Sequence, residues 1–119
     1  MAVPHPIPEE LAELIARRFR VLGDPLRVRM LDLLRDRELS VNELAELLGA
    51  GQQNVSKHLG VLADAGLVAR RKEGNRVYYR IADPAIFDLC EQVCGSLQAQ
   101  LSTLAALVAG TSTDLDQPA

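Results

Sequence analysis

The spacing of apolar and polar residues divides the chain into helical segments and two short strands. Apolar residues recur at helical spacing over about residues 8–22, 25–35, 41–48, 52–65 and 83–108. Residues 67–72 and 76–81 are short and richer in residues that favour strands, most clearly at Val77-Tyr78-Tyr79. The predicted order is α-α-α-α-β-β-α, a mainly α fold with a small β-hairpin.

Local signals mark the ends of these elements. Asp24-Pro25 supplies an N-cap and a first helical position for the second helix. Ser40 and Glu43 match a capping box ahead of the third helix. We expect residues 1–7 to be a flexible arm, residues 8–108 to form one domain, and residues 109–119 to be a disordered acidic tail.

The fourth helix has one apolar and one polar face. Val55, Leu59 and Leu62 share the first, and Gln53, Ser56 and Lys57 lie opposite. With the short third helix and the glycine-bearing turn before it, this helix predicts a helix-turn-helix unit. Taken alone, the polar face is more typical of an ordinary solvated helix surface. The hairpin that follows changes this interpretation.

Charge is distributed unevenly along the chain, whose formal net charge is −3. Residues 52–80 carry 6 basic and 2 acidic side chains, whereas residues 81–119 carry 5 acidic and no basic ones. A local positive surface beside a polar helix face indicates DNA binding, with Gln, Asn and Lys suited to base edges and basic hairpin residues to phosphates. The predicted DNA-binding residues are Gln52, Gln53, Asn54, Ser56, Lys57, His58, Arg71, Lys72, Asn75 and Arg76. For His58, at the edge of the apolar face, packing or a phosphate contact is favoured over metal ligation.

Five blocks of the chain, in this order and spacing, resemble the ArsR/SmtB family of winged helix-turn-helix repressors. They are Leu22-Gly23-Asp24-Pro25-Leu26-Arg27, Ser40-Val41-Asn42-Glu43-Leu44-Ala45, Asn54–Leu62, Asp64–Val68 and Gly74–Arg80. The resemblance covers about Phe19 to Ile81. It implies a homodimer that represses an operator on double-stranded DNA and releases it when an effector binds.

The last predicted helix carries a continuous apolar stripe that needs a partner. A self-complementary seam in a homodimer is the natural one, and it would place two DNA-reading helices about 34–36 Å apart, one turn of DNA. The predicted seam residues are Leu11, Ile15, Ile86, Val93, Leu97, Leu101 and Leu104.

Cys90 and Cys94 are the only cysteines and stand four residues apart on that helix. Their Cβ atoms are expected about 5–6 Å apart, too far for an unstrained disulfide. Their thiolates can still approach one thiophilic ion, such as zinc or arsenic(III). Equally, two free cysteines can act as small apolar side chains that fill a helix interface. The chemistry of the pair alone leaves both alternatives open.

The resemblance narrows where an effector could bind. Metal-sensing members of the family often carry a thiol motif in the third helix, where this chain has Ser40-Val41-Asn42-Glu43. Others use Asp and His pairs on the last helix. Here that predicted helix has Asp83 and Asp88, but no histidine occurs after His58. Cys90 and Cys94 are therefore the remaining candidate site for a metal or thiol-reactive effector.

Other classes of function are less consistent with the sequence. We expect no membrane partner, since no apolar run approaches the roughly 18 residues that span a bilayer, and a cytoplasmic location, since no secretory signal opens the chain. No constellation of catalytic residues stands out, so an enzyme is not expected. Two alternatives to an effector-released repressor remain: a winged-helix protein-interaction module that does not bind DNA, and a repressor with no metal response whose cysteines are structural.

Overall fold

Residues 2–110 are described by the computed structural model and form five helices and three strands. In chain order these elements are α1 (Glu9–Leu22), α2 (Pro25–Leu33), β1 (Leu39–Ser40), α3 (Val41–Leu48), α4 (Gln52–Asp64), β2 (Val68–Glu73), β3 (Arg76–Ile81) and α5 (Ala85–Val108). The predicted mainly α architecture with a hairpin is confirmed, and one strand, β1, is added to it. Residues 2–7 contain no helix or strand, and residues 111–119 of the predicted tail lie outside the described part of the chain.

The chain divides into two compact units between Pro84 and Ala85. The first unit contains α1 to α4 and the sheet, and the second contains α5. Side chains of the first unit that are at most 2% exposed are Met30, Leu31, Leu34, Leu39, Leu44, Val55, Leu59, Leu62 and Leu67. This core therefore joins α2, α3 and α4 to the sheet. Along residues 2–110, no helix combines the length and the hydropathy needed to cross a lipid bilayer.

The start of α2 is fixed by its predicted cap. Asp24 Oδ1 accepts hydrogen bonds from the N–H groups of Leu26 at 2.9 Å and Arg27 at 3.2 Å. These bonds satisfy two of the free N–H groups at the helix start. The helix ends at Leu33, two residues before the predicted end near Arg35. Neither glycine nor proline follows to mark that end in the sequence.

The sheet has the strand order β1-β3-β2, with both pairs antiparallel. In the pairing that the sequence did not reveal, Leu39 faces Tyr79 and Ser40 faces Tyr78. A strand of two residues is too short to show a period, and its partner lies far along the chain. The hairpin strand β3 is therefore the central strand of the sheet and is held on both sides.

Strand β2 begins one residue later than predicted because Leu67 is engaged elsewhere. Its N–H donates to the carbonyl of Leu62 at 3.0 Å, and its own carbonyl accepts from the N–H of Ala82 at 2.9 Å. The strand then runs to Glu73, which pairs with Arg76 across the turn. The hairpin thus extends further from the core than residues 67–72 alone would give.

Candidate nucleic-acid interface

Helix α4 presents two faces of opposite character. Val55, Leu59 and Leu62 are each 0% exposed, which confirms the predicted packing face. The exposed polar residues of its first two turns are Gln52, Gln53, Asn54, Ser56 and Lys57. Because three buried side chains fix the rotation of α4 about its axis, these polar groups have a set direction toward solvent.

The start of helix α3 is fixed by the predicted capping box. Ser40 Oγ accepts from the N–H of Glu43 at 3.1 Å, and the N–H of Ser40 donates to Glu43 Oε1 at 2.9 Å. The hydrogen bond from the Ser40 backbone, followed by that with its side chain, holds the pKa of Glu43 below its usual value. Gly49 ends α3 with φ +63, in the left-handed region that favours glycine, and so begins the turn into α4.

A cleft of about 240 Å³ opens where the starts of α3 and α4 approach the hairpin. Its lining residues are Ser40, Val41, Asn42, Gln52, Asn75, Arg76 and Val77. Helix starts carry partial positive charge and Arg76 adds a full one, while the Glu43 carboxylate that caps α3 partly offsets them. Asn42 was not among the predicted contacts, although its place in the first turn of the capped helix could have indicated it. The cleft is suited to a phosphate group of a nucleic-acid backbone.

The tip of the hairpin extends into solvent. Lys72, Asn75 and Arg76 are exposed, and Gly74 adopts φ +59 in the tight turn between the strands. A side chain at this glycine would be strained by that backbone conformation. The turn therefore places two cations and one amide together at the tip of the hairpin.

Arg71, by contrast, is engaged by protein groups. Its Nη2 lies 2.6 Å from Glu38 Oε1 and its Nη1 lies 2.7 Å from Glu73 Oε2. Its guanidinium also lies over the ring of Tyr78, 4.8 Å from the centroid. The hydrogen bonds that Arg71 donates to Glu38, and then to Glu73, raise the pKa of Arg71, and the bond that Glu38 accepts lowers the pKa of Glu38. A DNA phosphate would have to displace a carboxylate to reach this side chain.

His58 is half-buried and faces the protein. Its Nδ1 lies 3.0 Å from Nη1 of Arg27, a residue of α2. The two tyrosines of β3 divide as their alternation predicts, since Tyr79 is 6% exposed and Tyr78 is only half-buried. The predicted DNA-binding residues therefore fall into two groups: eight that reach solvent on α4 and the hairpin, and Arg71 and His58, which contact other side chains.

The residues of the predicted dimer seam are unequal in exposure. On α5, Val93, Leu97, Leu101 and Leu104 are between 50% and 64% exposed, whereas Ile86 is only 5% exposed. Leu11 and Ile15 of α1 are half-buried. Helix α5 therefore carries a stripe of uncovered apolar side chains, and Ile86 lies below the surface.

A groove of about 660 Å³ separates α1 from the far end of α4. It is lined by Leu14, Ile15, Arg17, Arg18, Val21, Val61, Asp64 and Ala65. Arg18 closes one side, where its Nη2 donates to the carbonyl of Ala65 at 3.0 Å and its Nη1 lies 3.6 Å from Asp83. The groove lies at the opposite end of α4 from the cleft beside the hairpin.

Both cysteines of α5 are free thiols, with Cys90 half-buried and Cys94 exposed. Among residues 2–110, no three or more His, Cys, Asp or Glu side chains are grouped so as to hold a metal ion. A closed zinc site takes four protein ligands. The two thiols of one protomer do not make such a site by themselves.

Comparisons with known proteins agree with this geometry. A family model described as a helix-turn-helix domain matches residues 22–71. KmtR, an HTH-type transcriptional regulator of Mycobacterium tuberculosis, is 42% identical over 86 residues, which cover 72% of this chain and 66% of KmtR. The chain thus spans about two thirds of that relative's length. Rv0081, an uncharacterised HTH-type transcriptional regulator of the same species, is 45% identical over 82 residues, which cover 68% of this chain and 72% of Rv0081.

Solved structures show the same fold. The crystal structure of Rv0081 superposes with a TM-score of 0.74 and 41% identity over 83% of this chain and 100% of that one. The solution structure of Mb0332 from Mycobacterium bovis, described as a homodimeric winged helix-turn-helix DNA-binding domain and a possible ArsR-family regulator, gives a TM-score of 0.67 and 33% identity over 82% and 91% of the two chains. The chain belongs to the ArsR/SmtB family of winged helix-turn-helix transcriptional regulators.

Proposed function

We propose that this protein is a cytoplasmic repressor that binds double-stranded operator DNA as a homodimer and leaves it when an effector acts. The observation that carries the proposal is the exposed polar face of α4 beside a basic hairpin in the same compact unit. Residues 52–80 hold 6 of the 13 basic side chains and only 2 of the 16 acidic ones. Phosphate attraction is therefore concentrated where the hydrogen-bonding side chains are.

The two parts of this surface have different tasks on DNA. The polar residues of α4 enter the major groove, where amide side chains pair with adenine and Lys57 with guanine or phosphate. Lys72, Asn75 and Arg76 of the hairpin contact phosphates, and Asn42 joins them at the cleft. We assign Arg71 and His58 to shaping this surface, because both already contact other side chains.

The homodimer is supported by the uncovered apolar stripe of α5 and by the homodimeric Mb0332. Val93, Leu97, Leu101 and Leu104 of one copy would pack against the same residues of a second, together with α1 residues Leu11 and Ile15. Two copies of α4 can then meet successive major grooves about 34–36 Å apart.

Fluorescence anisotropy with DNA from upstream of the protein's own coding sequence tests DNA binding directly. Lys57→Ala and Arg76→Ala should each weaken binding to most sequences and reduce the slope of log K against log salt by about 0.9, one released counterion each. Arg17→Ala is the matched control. Arg17 is an exposed arginine of α1 that lines the groove at the far end of α4, so its removal should leave the slope unchanged. A protein with no salt-sensitive affinity for this DNA would contradict the proposal.

For the effector, we propose that Cys90 and Cys94 form the responsive site. They are free thiols on the helix that would join the two protomers, so a change at either sulfur acts on the dimer. Arsenite, zinc or another thiophilic species could be shared by the four sulfurs of two protomers, whereas one protomer offers only two.

Titration of the DNA complex with zinc, arsenite and oxidants tests this site. We expect one of these agents to release DNA from the wild-type protein. The same agent should not release DNA from Cys90→Ser or from Cys94→Ser. Ser102→Ala, an exposed α5 variant without sulfur chemistry, is the control. Release that persists with both cysteines replaced, or no release by any of these agents, would leave the cysteines with a packing role.

A further inference from the structure

One side chain, Arg27, joins three helices at the back of the DNA-reading helix. Its Nε donates to the carbonyl of Val21 at 2.6 Å and its Nη2 donates to that of Arg20 at 3.3 Å. Its Nη1 lies 3.0 Å from Nδ1 of His58 on α4. Arg27 belongs to α2, so its guanidinium connects α2 to both the end of α1 and the middle of α4.

The contact determines the protonation state of the imidazole. A guanidinium has five N–H donors, no acceptor, and is always charged in proteins. At 3.0 Å from Nη1, Nδ1 of His58 must therefore accept through its lone pair. The ring is then neutral and carries its proton on Nε2. Arg27 thus selects one of the three forms that a histidine can take.

The other two bonds of Arg27 show why this side chain stays in place. Val21 and Arg20 lie in the last turn of α1, where carbonyls lack the regular helical partner four residues on. The carbonyl of Arg20 also accepts from the N–H of Gly23 at 3.2 Å. A cation at this end also matches the negative end of the helix dipole. Two carbonyls hold the guanidinium, and its third branch reaches α4 one residue after Lys57.

The charged groups around His58 are Arg27 and Asp24 of the α2 start and Lys57 on its own helix. Asp24 attracts a protonated imidazole, but its Oδ1 already accepts from two backbone N–H groups of α2. Protonation of Nδ1 would remove the acceptor for Arg27 Nη1 and place two cations 3.0 Å apart. The contact therefore exists only with neutral His58.

We propose that Arg27 and His58 are a positioning pair for DNA binding: Arg27 holds His58 neutral with its proton on Nε2, and the bond orients α4 relative to the end of α1. The inference rests on the proposed DNA-binding function. It assigns His58 no contact with DNA and gives it a structural partner 31 residues away. It also joins α4 to α1, the helix that supplies two of the proposed seam residues.

Amide substitutions separate this role from a direct DNA contact. The side chain of Asn places an acceptor where Nδ1 lies, and that of Gln places a donor where Nε2 lies. We expect His58→Asn to keep the affinity for DNA within about threefold, and His58→Gln and His58→Leu to lose about tenfold, since a hydrogen bond to a charged group is removed. If Gln preserves affinity and Asn loses it, Nε2 contacts DNA and the proposal is wrong. Equal affinities of the two amide variants would also overturn it.

An NMR measurement makes the test independent of DNA binding. Long-range ¹H–¹⁵N NMR of the free protein at neutral pH should show His58 protonated at Nε2 only, and Arg27→Lys, which keeps the charge, should disturb that state. A proton on Nδ1 in the wild-type protein would refute the pair even if the protein binds no DNA.

Discussion

The surfaces of α4 and α5 are both exposed, but their outward side chains differ in kind. On α4, polar groups face solvent while Val55, Leu59 and Leu62 are each 0% exposed. On α5, leucines such as Leu97 and Leu101 face solvent at 53% and 64%, and no lysine or arginine occurs from residue 81 onward. The first surface is supported by its own core and presents polar side chains that suit a polyanion. The second is an apolar surface that is stabilised only when another apolar surface covers it.

Truncation of the α4 core should have the largest effect. Leu59→Ala removes a side chain that is 0% exposed and should lower the free energy of unfolding by about 2–5 kcal/mol. Urea denaturation followed by circular dichroism measures it. Ser56→Ala on the exposed face of the same helix is the control and should change stability by less than about 0.5 kcal/mol. Similar midpoints for the two variants would show that α4 does not depend on this core.

A charge on α5 should instead affect assembly. Leu97→Asp places a carboxylate on a side chain that is 53% exposed in the protomer and central in the proposed seam. Because a buried unpaired charge is costly, dimerisation should weaken by at least about tenfold while the helical content of the monomer is kept. Analytical ultracentrifugation measures this. Gln98→Asp, one residue along, should leave the dimer intact, and an unaffected dimer in both variants would exclude this seam.

A change on the polar face of α4 should alter preference among DNA sequences. Gln53→Ala removes an amide that can pair with a base edge, so discrimination at one position should fall by about 1–3 kcal/mol. Competition binding with single-base variants of the operator measures it. Arg76→Ala is the comparison, since loss of a phosphate contact weakens all sequences alike. An unchanged preference in Gln53→Ala would remove this residue from those that read bases.

The smallest expected effect is a pH dependence at the start of α3. The capping box lowers the pKa of Glu43 below the ordinary 4.5 of a free glutamate, so the ionised form stabilises the folded state above 4.5, and this contribution is lost as pH falls through the lowered value. Glu43→Gln should therefore show a shallower loss of stability on acidification than the wild-type protein. Urea midpoints at neutral and acidic pH test this, and parallel curves would show that the capping carboxylate is not linked to folding.

The parts of the fold that follow from short-range signals were predictable. The capping box at Ser40 and Glu43 lies within four residues, and the two faces of α4 within three turns, so periodicity and local chemistry were sufficient. Strand β1 was missed because Leu39 and Ser40 form a strand only by pairing with residues of β3. Its formation depends on the assembled sheet.

The candidate site shows the same division. Exposed residues such as Gln53 and Arg76 were predicted from residue type and charge pattern. The contacts of Arg71 with Glu38 and of His58 with Arg27 were not, since Glu38 lies 33 residues from Arg71 and Arg27 lies 31 residues from His58. Side chains at such separations give no local signal of their contact. Sequence therefore indicated which residues carry the chemistry, but not which are already occupied by the protein.

The central place of β3 also determines where the hairpin can change length. The strand pairs with β2 along its length and with β1 at Tyr78 and Tyr79, so the exposed turn between Glu73 and Arg76 is where the hairpin can lengthen without disturbing the β1 pairing. One residue added to each strand there would extend the hairpin by about 3.3 Å, close to the rise of one base pair. Paired insertions at this turn give evolution or an engineer a stepwise way to set the length of the hairpin.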